Sequence, residues 1–93
     1  MQILEIKHIE DCFNGTYIKE ILFNKTVEKE FIYYLAEYGK LSYFKNFARP
    51  FYKIIFRDNF YIKGVQGNNT ARMLLCDDND IKFIYTIIKK RNI

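Results

Sequence analysis

The chain opens on alternation. Leu4, Ile6 and His8 fall on one side of an extended backbone and Ile3, Glu5, Lys7 and Ile9 on the other, which predicts a strand over residues 2–9. Residues 11–24 carry two overlapping patterns. Phe13, Tyr17, Ile21 and Leu22 fit a helical stripe, whereas Tyr17, Ile21 and Phe23 fit one side of a strand. The reading adopted is a short helix at about 16–23, starting after Gly15 because glycine weakens a helix interior. The next element is the plainest. Val27, Phe31, Tyr34, Leu35 and Tyr38 recur at helical spacing, Glu28 and Glu30 supply negative charge to the first turns, and Gly39 offers a left-handed end; a helix at about 26–38 follows.

From Leu41 onward the period falls to two. Strands are predicted at 41–47, 51–57, 60–65 and 70–76, broken by Ala48-Arg49-Pro50, Asp58-Asn59 and Gln66-Gly67-Asn68-Asn69. A final helix places Ile81, Ile84, Tyr85 and Ile88 on one side, with Asp77, Asp78 and Asp80 at its start and Lys89, Lys90 and Arg91 at its end. The order β-α-α-β-β-β-β-α describes an α+β domain with a mainly antiparallel sheet of about five strands and its helices on one face. At 93 residues, 1–93 reads as a single domain.

Register decides what the second half presents to solvent. A two-residue Asp58-Asn59 turn puts Lys63 beside Ile54 and Phe56, whereas a three-residue connection gathers Ile54, Phe56 and Ile62 on one side and Lys53, Arg57, Tyr61 and Lys63 on the other. Separation of charge from core predicts the three-residue connection, although turn propensity favours two.

Composition adds an asymmetry. Residues 1–40 hold five Lys against seven acids, net −2, and residues 41–93 hold ten Lys or Arg against four Asp, net +6. An anionic partner is thereby possible. Aromatic residues reach 18%, but Ile, Lys, Asn, Tyr and Phe share A/T-rich codons, so the enrichment reads as compositional rather than as a stacking surface. Two cysteines with 63 residues between them, Cys12 and Cys76, form no metal-binding or disulfide framework, and residues 1–9 carry no secretory signal. Free thiols and a cytoplasmic location are expected, with no membrane span.

No catalytic pattern emerges. His8 is the sole histidine and Ser42 the sole serine, so neither a triad nor an acid–base pair is visible. His8 and Cys12 are four apart, but His8 closes a strand, so they share no helical face; the acids at 77–80 lack calcium-loop spacing and read as a helix cap. No cofactor or metal is expected. The polar loop Lys63-Gly-Val-Gln-Gly-Asn-Asn-Thr-Ala-Arg72 is the leading candidate for a ligand site, through Gly67, Asn68, Asn69 and Arg72, with Arg49 held extended before Pro50. The sequence therefore points to a small non-enzymatic module binding a protein partner or a small anionic ligand. The alternative is RNA or single-stranded nucleic acid bound on a basic-aromatic sheet face built from Lys53, Arg57, Tyr61 and Lys63.

The helical stripe at 26–38 makes one energetic prediction. Leu35→Ala costs about 2–5 kcal/mol in denaturant unfolding, the range for a buried large-to-small change. A cost below about 0.5 kcal/mol would place the stripe in solvent.

Overall fold

A computed structural model describes residues 1–92. Six strands form one antiparallel sheet: β1 (Ile3–Asp11), β2 (Tyr17–Phe23), β3 (Lys40–Phe44), β4 (Phe51–Arg57), β5 (Phe60–Val65) and β6 (Thr70–Leu75). Two α-helices accompany them, α1 (Lys29–Ala36) and α2 (Asp78–Arg91). Across the sheet the order is β1-β2-β6-β5-β4-β3. The chain makes a hairpin, crosses through α1 to the far edge, and meanders back until β6 pairs with β2, from Tyr17 opposite Leu75 to Leu22 opposite Thr70.

The helix expected at 16–23 is strand β2, which raises the count from five to six. Tyr17, Ile21 and Phe23 point to the helices, while Ile18 and Leu22 on the other side are half-buried. Apolar residues thus occupy both sides of β2, and the period-two signal vanishes beneath a helical one. Asn14 and Gly15, at φ 59° and 80°, turn the chain from β1 into β2. β1 itself runs past His8 to Asp11, so His8 does not close the strand. Its strict alternation fails because register shifts between Ile3 and Glu5 and between His8 and Glu10 insert Leu4 and Ile9; Ile3, Ile6 and Ile9 are consequently the half-buried positions.

α1 is shorter than its stripe, but Phe31, Ile32 and Leu35 are buried as its spacing requires. Gly39 does not take the left-handed conformation expected of it. Its constraint is proximity: a Cβ there would meet the Ile55 carbonyl oxygen at 2.6 Å. α2 starts at Asp77, whose carboxylate accepts from the Asn79 amide at 2.8 Å. Its inward side is Ile84, Ile87 and Ile88 with Ile81 partly covered; Tyr85, expected among them, is exposed. The helices are tied to each other by the Tyr34 hydroxyl, which donates to the Ile87 carbonyl, and by Arg91, whose guanidinium lies 5.4 Å from the Phe31 ring centroid. Burial and the bond to Tyr38 push the Tyr34 phenol up to about 12, so it remains a donor near neutrality.

The core lies between these helices and one side of the sheet, where Ile21, Phe23, Tyr52, Ile54, Phe60, Ile62, Ala71, Met73 and Leu75 are buried. All of these sheet residues share one side, and among the described residues no helix lies over the opposite side. One core position is under polar strain. The Tyr52 hydroxyl is fully enclosed with no protein hydrogen-bond partner among the described residues, and burial raises its pKa far above the ordinary phenol value. Its ring lies against Gly64, the facing residue on β5; a Cβ on Gly64 would stand 2.7 Å from that hydroxyl.

Tyr52→Phe is therefore expected to stabilise the protein by about 1 kcal/mol, by removing an unsatisfied buried group. Gly64→Ala is expected to cost about 1–3 kcal/mol by overpacking. In a double-mutant cycle Tyr52→Phe recovers part of the Gly64→Ala loss; strict additivity would show that the two do not collide.

Candidate functional site

The uncovered side of the sheet is organised in rows that run across the strands. In one row Lys53, Lys63, Arg72, Glu20 and Lys7 stand opposite one another on β4, β5, β6, β2 and β1. In the next parallel row but one, Phe44 pairs with Phe51 and Phe51 with Val65, and Thr70 continues the line. Between them Tyr52, Gly64 and Ala71 turn their side chains inward, leaving only backbone. The result is a transverse groove of about 390 Å³, with cations along one wall, aromatic and aliphatic groups along the other, and Asn68 at its rim.

The register that builds this groove is neither of the two simple alternatives. Asp58-Asn59 forms a two-residue turn, with Asn59 at φ 60° and Arg57 opposite Phe60. Phe56 is then an extra residue, and beyond it Ile55 faces Tyr61, Ile54 faces Ile62 and Lys53 faces Lys63. The bulge restores the separation of charge from core that the three-residue connection was expected to achieve, while keeping the favoured turn. Ile54 and Ile62 are buried and Phe56 is half-buried against Phe60 and Phe83.

The bulge also removes Arg57 from the basic set, which corrects the expected surface of Lys53, Arg57, Tyr61 and Lys63. Arg57 is turned to the helix side, over the Phe60 ring and in an ion pair with Asp80. Asp80 is 1% exposed; its other oxygen accepts from the Cys76 amide at 3.1 Å. Tyr61 remains on the open side between two ammonium groups, with Lys53 Nζ 4.2 Å and Lys63 Nζ 5.8 Å from its ring centroid.

The loop at 66–69 has a different employment from the expected anion cradle. The Gln66, Gly67 and Asn68 amides donate to the carbonyls of Pro50, Val27 and Val65. The Asn68 and Asn69 carbonyls in turn accept from Val27 and Phe23. Gly67 takes φ 92°, as a tight turn requires. Arg49 donates to the Asn68 side chain. These groups clasp the loop to the β2–α1 connection, and the three amides are already spent. Arg72 lies outside the clasp, in the cationic row, where Glu20 stands 3.7 Å from its Nε. Of the loop residues, Asn68 and Arg72 reach the groove.

The chain matches no family model, no curated protein and no solved structure.

The aromatic wall was missed in the sequence, though the signal was present. Phe51 shares the phase of Lys53 and Ile55, but Pro50 marks a break and drew the reading to Arg49 instead. Phe44 and Phe51 stack at 4.6 Å between centroids, and Phe47 leans on Phe51 at 5.0 Å. Lys45, next to Phe44, turns to the helix side above Tyr33 and Tyr43, where the Tyr33 hydroxyl raises its pKa. Elsewhere, His8 Nε2 lies 3.3 Å from Asp11, both cysteines are free, and no group of three or more His, Cys, Asp or Glu among the described residues is placed to hold a metal. Among the described residues no helix is long and apolar enough to cross a membrane.

The ion pair under α2 yields a test. Arg57→Ala leaves the enclosed Asp80 carboxylate without its cation and is expected to cost about 1–3 kcal/mol, reduced from the value for a fully buried pair because Arg57 is itself half in water. A loss no larger than about 0.5 kcal/mol, the size of ordinary surface changes, would show that water replaces Arg57 without penalty.

Proposed function

We propose that this protein is a non-enzymatic module that binds an anionic ligand in the transverse groove on the open side of its sheet. One observation carries the reading: Lys53, Lys63 and Arg72 stand abreast on adjacent strands. Like charges directly opposite one another in a sheet repel and cost stability. Local rules are broken in this way where function requires it. An anion lying along the row relieves the repulsion and accepts charge-assisted hydrogen bonds from each side chain. Glu20 limits the site at its β2 end by engaging Arg72. The two residue sets expected from the sequence thus contribute to one place, Asn68 and Arg72 from the loop and Lys53 and Lys63 from the strands.

Titration with inorganic tripolyphosphate, followed calorimetrically, tests the reading. The double variant Lys63→Thr with Arg72→Ala is expected to weaken binding at least about tenfold, the loss of more than one charge-assisted contact. The charge-matched variant Lys89→Ala with Lys90→Ala, at the exposed end of α2, is expected to bind as wild type does. Glu20→Gln frees Arg72 and tightens binding. Lys63→Thr alone holds or raises the thermal midpoint in anion-free buffer, because it removes a like-charge neighbour. Equal weakening in the two double variants would reduce the effect to net charge and overturn the proposal.

A further inference from the structure

We infer that the occupant of the groove is single-stranded nucleic acid, its bases stacked on the Phe44–Phe51–Phe47 cluster and its phosphates along Lys53 and Lys63; this rests on the anion-binding reading above. A simple phosphate site needs only the cationic wall. Here the opposite wall is aromatic and open to solvent: Phe44 is 44% and Phe51 37% exposed, and Phe47, 57% exposed, leans on Phe51 from beside the groove. Phe44 and Phe47 both pack on Phe51, and three phenylalanines this exposed form an apolar patch that the core does not use. Phe51 and Lys53 lie two residues apart on one strand, hence on one side of the sheet and about 7 Å from each other. A ligand touching both must present a flat apolar group and a negative charge at close, fixed separation, as a nucleotide does.

The groove crosses five strands from Phe44 on β3 to Glu20 on β2, about 19 Å at ordinary strand spacing, so it is long enough for a polymer rather than one compact anion. It is also open along its length, which lets a strand lie through it. Every base has a π-face, so a phenylalanine platform with ammonium groups beside it binds single strands with little regard to sequence. Duplexes keep their bases stacked inside and cannot use the aromatic wall.

The test compares three probes on the intact protein at fixed salt: an oligothymidylate of about ten nucleotides, an abasic oligomer of the same length, and a duplex. The oligothymidylate is expected to bind at least about fivefold more tightly than the abasic strand, the gain from even one stacked base. The duplex should bind no more tightly than the abasic strand. Phe51→Ala should erase the advantage of bases, with an unchanged circular dichroism spectrum reporting an intact fold. Equal affinity for base-bearing and abasic strands, or a retained advantage in a folded Phe51→Ala protein, overturns the inference and leaves the anion site standing. Tighter binding of the duplex overturns it as well. Failure of tripolyphosphate and all three probes to bind overturns both readings.

Discussion

Everything in this fold depends on the ladder between β2 and β6. The two strands are separated by α1 and three other strands, yet their pairing joins the N-terminal hairpin to the meander and makes one sheet of two pieces. Neither piece has a complete core without the other: Ile21 and Phe23 come from the hairpin, Ile54, Ile62 and Met73 from the meander. The loop at 66–69 extends the same junction by hydrogen-bonding to Phe23 and Val27. Loop-closure entropy opposes such a distant pairing, so it forms only when the helices bury their apolar sides on both pieces together. The same closure aligns Arg72 with Lys63 and brings Glu20 alongside, so the groove on the open side is a product of the long-range contact and not of any local motif.

This dependence explains which parts were legible in the sequence. Strands β4, β5 and β6 and the core of α1 announce themselves because each alternates or repeats about a single buried side. β2 conceals itself because Ile18 and Leu22 are half-covered on the otherwise open side, next to their neighbours on β1 and β6. The bulge at Phe56 has no propensity signature, but the requirement that charge and core separate was enough to place Ile54 and Ile62 correctly. Arg57 was misplaced for the same reason: parity fails at a bulge. Asp80 shows a related limit. Its cap-like position was readable, whereas its enclosure beneath Arg57 depends on how α2 lies on the sheet.

The loop at 66–69 illustrates how one composition serves two purposes. Glycine and asparagine suit both an anion nest and a tight structural turn, because each purpose asks for left-handed backbone and free polar groups. What separates them is the destination of the amides, and here that destination is the protein itself. The clasp fixes the chain at Val27, just ahead of the crossover helix, and adds to the packing that holds that helix on the sheet.

The edges of the sheet carry a consequence of their own. β1 is nine residues long and lies outermost, yet two insertions kink it and break its row of unpaired backbone groups; the other edge, β3, is only five residues and starts with Lys40. Such margins make poor templates for a second chain, so strand-by-strand growth into fibrils is suppressed at both ends. The protein can therefore leave phenylalanines bare on its broad surface without inviting polymerisation through its rims. Its exposed apolar area is thereby confined to a face rather than to a rim.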